Sequence, residues 1–329
     1  MKLFIPGAGG KVNHILNFQE HPDVEKVIIS DIYPWTYGTF VADVAYQVPR
    51  FDDPTFFEVF DRIYQKERFD VCLPINDFSL YLFASQRENL KSYPFTLAIC
   101  PQETIDLVVD KLLTYEFFVT NNIPTAKVYT MDEFLNLKTH KFPYYIKPRY
   151  IHMRGTQKQL YMKLEDSFDL DYILKKIQTN QDDYVVQDFI SGREINIDFF
   201  CDANGEVKSI VPLERQGMGL SRGITRGEMF NDSRFDSYVY QMAEKLKFWG
   251  ANNVQVYMDE KENLTLTEIN GRFSGSSIFV KEAGVNFFHY FIELLKGNPV
   301  EINEKPRYLR MASWEKPFFF TKTKAKMIS

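Results

Sequence analysis

A chain of 329 residues that is 45% hydrophobic exceeds one compact core and predicts two or three domains. Its net charge of −5, without runs of like charge, excludes nucleic-acid binding through a general basic surface. The three cysteines, Cys72, Cys100 and Cys201, lie far apart, so neither a zinc ribbon nor a disulfide framework is indicated, and no apolar run is long enough to span a bilayer.

The N-terminus, MKLFIPGAGG, reaches Pro6 and Gly7 after too few apolar residues for a signal peptide. A soluble, reduced, cytoplasmic protein away from the membrane is expected. Residues 1–100 alternate strand and helix. Leu3–Ile5, Val27–Ser30, Val71–Pro74 and Leu97–Ile99 read as strands, and Phe56–Lys66 as an amphipathic helix. That alternation predicts a parallel, doubly wound sheet. Gly7 and Gly9 fit part of a dinucleotide fingerprint, but Val12 stands where its third glycine belongs. Asp31, at the end of the second strand, could meet a ribose; a tight strand-to-helix turn is the plainer reading. Asn76 and Asp77 also follow a strand, where open α/β sheets place ligands, or Asp77 simply caps the next helix.

A new region begins with a helical pattern over Asp106–Asn121, stopped before Pro124. Lys111 lies inside that helix. Lys127–Thr130 and Tyr144–Lys147 are short strands, and residues 149–159 form a polar loop. Lys147 ends a strand whose alternating neighbours should be enclosed, which makes it the better phosphate candidate of the two lysines. Otherwise it is a snorkelling side chain at a sheet edge.

Phe168–Ile177 reads as helix, and Tyr184–Phe189 as a strand running into Ser191-Gly192. The open backbone of Gln187, Asp188, Phe189 and Ile190 could read a flat heterocycle. Glu194 then either binds ribose hydroxyls or is exposed. Ile195–Cys201 and Val207–Val211 make a hairpin around Asp202-Ala203-Asn204-Gly205. Arg215, Arg222 and Arg226 fall in a glycine-containing loop, suited to phosphate or carboxylate recognition or merely solvated.

Arg234–Lys247 carries one apolar stripe at helical spacing. Asn253–Met258 and Leu264–Ile269 form a second hairpin across a charged turn. Leu264, Leu266, Glu268 and Asn270 stand at period two, which points all four the same way in a regular strand, with Arg272 continuing the spacing. A carboxylate, an amide and a cation in that order suit Mg²⁺ beside a phosphate. Gln255 adds a third oxygen donor if the hairpin register permits. Lys281–Leu295 is a last helix, and residues 301–329 form an irregular tail.

The ordered set Asp110-Lys111, Ile123-Pro124-Thr125, Ile146-Lys147-Pro148, Gln187–Ile190, Gly192, Glu194, Gln255 and Glu268-Ile269-Asn270-Gly271-Arg272-Phe273-Ser274-Gly275 resembles the ATP-grasp superfamily over residues 1–298. More narrowly, it is similar to the ATP-grasp halves of the carbamoyl phosphate synthase large subunit and its stand-alone relatives. The resemblance implies a Rossmann-like pre-ATP domain (1–105) and an ATP-grasp domain (106–300) of two α+β subdomains, 106–190 including a small lid and 191–300 carrying metal and phosphate, before the tail (301–329). It implies Lys111 and Lys147 on ATP phosphates, the 187–190 backbone on adenine and Glu194 on ribose. It implies Mg²⁺ or Mn²⁺ on Gln255, Glu268 and Asn270, and Arg272 stabilising the transferred phosphoryl group. The implied activity is ADP-forming ligation of a small carboxylate to a nucleophile, usually an amine, through an acyl phosphate. Residues Asn76, Asp77, Arg215, Arg222 and Arg226 are then candidates for the substrate or its phosphates. Many members of the superfamily dimerise, and nothing in the sequence decides it here.

The chain departs from the pattern at three points. Gly271 replaces the proline of Glu-x-Asn-Pro-Arg. The loop after Lys147 holds one glycine, Gly155, leaving His152, Arg154 and Lys158 to cover the phosphates. Only one ATP-grasp unit is present, without a glutaminase portion. A non-catalytic or partner-dependent nucleotide-binding subunit is therefore the alternative, and a nicotinamide oxidoreductase built on Gly7–Gly10 and Asp31 the third reading.

Overall fold

The computed structural model describes residues 1–150, 160–177, 180–218, 224–313, 317, 319, 326 and 327. The fold is α/β followed by α+β, in three sheets. The first is parallel: β1 (Lys2–Pro6), β2 (Lys26–Asp31), β3 (Val44–Gln47), β4 (Val71–Cys72) and β5 (Thr96–Leu97). Its centre is buried from both sides, which is why β1 and β2 read as unbroken apolar runs. The second sheet is antiparallel: β6 (Val128–Thr130), β7 (Tyr144–Pro148), β8 (Met162–Leu164) and β9 (Tyr184–Asp188), in the order β6-β9-β7-β8. It encloses a small core of its own around Phe134, Tyr144, Ile146 and Val186.

The third sheet organises the molecule. β10 (Arg193–Cys201), β11 (Val207–Met218), β12 (Ile224–Met229), β13 (Gly250–Met258) and β14 (Leu264–Asn270) pair antiparallel in the order β14-β13-β10-β11-β12. β10 alternates strictly. Ile195, Ile197, Phe199 and Cys201 enter a core shared with Val254, Val256 and the helices Gln102–Val109 and Lys111–Thr120. Glu194, Asn196 and Asp198 point the other way.

Two single helices expected from the sequence are each divided. Asp110 adopts an extended conformation and caps Lys111–Thr120, so Asp106–Asn121 is not one helix. Lys281–Leu295 becomes Ser277–Glu282 and Phe287–Leu295, broken at Gly284, whose φ of +106° lies in the region that favours glycine. The tail is not wholly irregular. β15 (Arg310–Ala312) extends the third sheet beyond β12, and β16 (Lys326–Met327) pairs in parallel with β3 at the edge of the first.

The first sheet does not stand apart from the third. Leu3, Ile5, Ile15 and Phe18 share a core with Phe200, Leu213, Phe273, Phe288 and Phe291. Phe18 meets Phe273, Phe288 and Phe291 edge-on, and Phe273 stacks on Phe288. Among the described residues no helix is long and apolar enough to cross a membrane.

Candidate active site

The polar face of the third sheet builds the site. β13 pairs with β14 so that Asn253 lies opposite Asn270 and Gln255 opposite Glu268, but Val256 lies opposite Leu266. Thr267 is therefore an extra residue, a β-bulge in β14. The bulge corrects the expectation that Leu264, Leu266, Glu268 and Asn270 share a face. Leu264 and Leu266 enter the apolar core with Ile269, whereas Glu268 and Asn270 turn to the opposite side with Gln255 and Asn253. Asn196 lies opposite Gln255 and Asp198 opposite Asn253, which brings β10 into the same polar field. The register left open by the sequence thus puts Gln255, Glu268 and Asn270 on one face.

Both lysines reach this face. Asp110 accepts the Leu112 backbone N–H at 2.9 Å and a two-pronged contact from Arg149, with Nε and Nη2 at 2.8–3.0 Å. Lys111 N–H also donates to the Arg149 carbonyl at 2.9 Å. This clamp ties the start of the helix to the end of β7. Lys111 sits in the first turn rather than inside a helix, and is buried with its Nζ 3.7 Å from Glu268 Oε1. Lys147 is also buried and donates to Gln187 Oε1 at 2.5 Å. Burial pushes its ammonium down to about 8, with Lys111 adding to the shift and Glu268 opposing it. Two enclosed cations next to one carboxylate make a ready anion site.

Arg272 joins the two halves of the molecule. Its Nε donates to Asp77 Oδ1 at 2.5 Å and its Nη2 to Asn270 Oδ1 at 3.0 Å, while Nη1 donates to the Phe273 carbonyl. Burial alone would raise the Asp77 carboxyl, but Arg272 beside it wins and holds it below the usual carboxylate range. Asn76, not Asp77, caps the helix Asp77–Ser85. Its Oδ1 accepts Ser79 N–H at 2.9 Å, and its Nδ2 donates to the Pro6 and Gly7 carbonyls at 3.1 Å. Asn76 thereby holds the first glycine turn, where Gly7 has a φ of +65°. Asp31 is engaged in the same turn, accepting the Gly9 and Tyr33 N–H groups at 3.0 Å each.

The remaining candidates are more scattered. Glu194 is ion-paired with Arg215 across β10 and β11. Arg215 and Arg226 are on paired strands rather than in a loop, and Arg226 is exposed, donating to the Gln216 carbonyl. Arg222, His152, Arg154, Gly155 and Lys158 lie outside the described residues. At the end of β9, Asp188 N–H donates to the Lys127 carbonyl, and Lys163 Nζ stands 4.4 Å over the partly exposed Phe189 ring. Ile190 follows at partial exposure. Gly271 has ordinary room for a methyl group beside Cys100, Ile105 and Val108; nothing in the structure requires glycine there.

A cleft of about 370 Å³ opens between this polar face and the first glycine turn. Asn196, Asn253, Gln255 and Asn270 form its floor, Lys11 and His14 one wall, and Arg215, Arg272, Ser274 and Ser276 line it as well. His14 is buried and donates from Nε2 to the Ser274 carbonyl at 2.9 Å; burial pushes it down to about 3, so it is neutral. Asp198 lies beneath, 1% exposed, accepting the hydroxyls of Ser274 and Ser276. Burial pushes Asp198 up to about 6 despite those bonds. Lys11, His14, Asn196, Asp198 and Arg149 were not singled out from the sequence. The alternation Glu194-Ile195-Asn196-Ile197-Asp198-Phe199 was the available signal for two of them.

Two family models match the chain. One, described as ATP-grasp in the biosynthetic pathway with Ter operon, covers residues 180–317; the other, a PylC-like N-terminal domain, covers residues 3–98. Its fold is the ATP-grasp fold. Solved structures with this ATP-grasp architecture include N5-carboxyaminoimidazole synthetase from Staphylococcus aureus complexed with ADP, at 18% identity and a TM-score of 0.71, covering 92% of this chain and 79% of that one. An L-amino acid ligase from Bacillus licheniformis matches at 16% identity and TM-score 0.64 (91% and 75% covered). A biotin carboxylase from Campylobacter jejuni matches at 13% and 0.69 (93% and 73% covered). No curated protein matches the chain.

Proposed function

We propose that the protein is an ATP- and Mg²⁺-dependent ligase that activates a carboxylate as an acyl phosphate and passes the acyl group to an amine. The observation that carries this reading is the β13–β14 register. It aligns Gln255, Glu268 and Asn270 as hard oxygen donors on one face, within reach of buried Lys111 and next to Arg272.

A carboxylate and two amides fit Mg²⁺, which would neutralise phosphate charge when bound. Lys111 and Lys147 bind the phosphates, and the strand end Gln187–Ile190 receives the adenine. Glu194 meets the ribose once it shares its contact with Arg215. Arg272, fixed by Asp77 and Asn270, faces the charge that develops as the carboxylate oxygen attacks the γ-phosphorus and ADP leaves. An amine then attacks the acyl carbon and phosphate departs. Catalysis here is mostly positioning and charge neutralisation, because the transferred phosphoryl group needs little covalent help. The donor set Gln255, Glu268 and Asn270 is the one that the resemblance to a carbamoyl phosphate synthase half implies, which favours that half as a mechanistic model.

A screen of carboxylate and amine pairs for ADP release in Mg²⁺ and ATP tests the reading. A pair that raises turnover together defines the reaction. Nucleotide binding without ADP release under any pair would favour a partner-dependent binding subunit instead.

A further inference from the structure

The end of the cleft beside the first glycine turn is electrically asymmetric. Lys11 lines it from the glycine turn; Asp77 lines it too but is ion-paired with Arg272, and among the described residues Lys11 forms no ion pair. Asn196, on the floor, is 5% exposed, and its Oδ1 is a buried acceptor without a hydrogen-bond partner among the described residues. Two residues along the same face of β10, Asp198 is buried, with the neutral hydroxyls of Ser274 and Ser276 as its bonded neighbours. The nearby guanidiniums are already committed, Arg272 to Asp77 and Arg215 to Glu194. A buried orphan acceptor costs about 1–3 kcal/mol, so its retention in the floor of a cleft points to a ligand donor.

We propose that this end of the cleft seats a free amino acid as a zwitterion, its carboxylate on Lys11 and its ammonium on Asn196 Oδ1 above Asp198. The inference rests on the ligase reading and names one of its two substrates. A plain dicarboxylate would leave Asn196 unpaired and face Asp198. A plain amine would leave Lys11 without an anion. A zwitterion satisfies both, and a cleft of this volume takes a small side chain besides. Burial depresses Lys11 to about 8, with Arg272 adding to the shift and Asp77 opposing it, and raises Asp198 to about 6 against its hydrogen bonds and the Arg272 charge.

The test uses the full chain with MgATP and three matched sets: the common amino acids, their decarboxylated amines, and their deaminated hydroxy acids. ADP release is read together with MgADP affinity by calorimetry, and with protection of Lys11 from reductive methylation by mass spectrometry. One or a few amino acids should stimulate release and protect Lys11, with both analogue sets at least about 10-fold weaker. Lys11→Met should raise KM for that amino acid by about 10–150-fold, the worth of a hydrogen bond to a charged group, and Asn196→Ala should also raise it. MgADP affinity, the folding control, should hold in both. If MgADP binds but only hydroxy acids, amines or no compound of the three sets acts, the zwitterion inference fails while nucleotide binding stands. If MgADP does not bind, the ligase reading itself fails and takes the inference with it.

Discussion

The two faces of the third sheet are built from the same strands and do opposite work. On one, Ile195, Ile197, Phe199, Val254, Val256 and Ile269 make a continuous apolar layer. On the other, Asn196, Asp198, Asn253, Gln255, Glu268 and Asn270 gather oxygens that an ion or ligand can use. In β10 and β13 simple alternation separates the faces. In β14 alternation would have put Glu268 and Asn270 on the same side as Leu264 and Leu266, and one extra residue prevents it. The active face is thus a matter of register, set by Thr267, as much as of composition.

The largest expected effect follows from inserting one serine between Gln255 and Val256, which gives Thr267 a partner and removes the bulge. Strict alternation would drive Glu268 and Asn270 into the apolar layer, or Leu264 and Leu266 out of it. No soluble nucleotide-binding protein should result, whereas Thr267→Ala, which keeps the bulge, should bind MgADP normally by calorimetry. Next is Arg272→Ala. Loss of one preorganised charge stabiliser typically costs about 10²–10³ in turnover, and here it also strands the Asp77 carboxylate. Arg272→Ala with Asp77→Asn should recover thermal stability but not ADP release.

Glu268→Ala should raise the Mg²⁺ concentration for half-maximal activity by at least the ~10–100-fold that even an outer metal partner contributes. It also leaves Lys111 without its carboxylate. Lys147 provides a smaller, pH-dependent check from across the cleft. Its folded value near 8 lies below the ordinary 10.5, so the unfolded chain holds more protons between the two. The burial cost is fully present below pH 8 and fades as pH rises towards 10.5, so this group's contribution makes stability rise across that window. Phosphate binding needs the charged form, so MgADP affinity should fall above pH 8. Lys147→Arg, which stays charged, should flatten that fall. The smallest effect is Asn76→Ala, which removes a helix cap and two bonds to the glycine turn. It should cost about 1–2 kcal/mol in a denaturant titration and leave Mg²⁺ dependence alone.

Much of this was legible in the chain. The parallel sheet followed from strands separated by helical patterns, and the candidate donors Glu268 and Asn270, named from the sequence, do share one face with Gln255. The rest was hidden for identifiable reasons. A bulge leaves no mark in local periodicity, so Thr267 looked like any strand residue. Asp110 reads as one more polar residue in a helical stretch, yet its bonds to Leu112 and Arg149 break the helix and bury Lys111. Arg215 and Arg226 flank a glycine-containing stretch, but pairing between β11 and β12 makes them strand residues. Lys11 and Asn196 matter only because the first glycine turn closes over β10, a contact between positions far apart in sequence.

The sharing of one core between the first and third sheets has a consequence for cooperativity. Phe18 from the N-terminal region packs with Phe273, Phe288 and Phe291, and β15 and β16 stitch the tail to both sheets. The small sheet of β6 to β9 has its own separate core. Native-state amide exchange should therefore resolve two opening units of unlike stability. Strands β1, β2, β10 and β13 should exchange together at the slow limit. Strands β7 and β9, which carry Lys147 and Gln187, should exchange faster, and should slow selectively when a nucleotide ties the two units together.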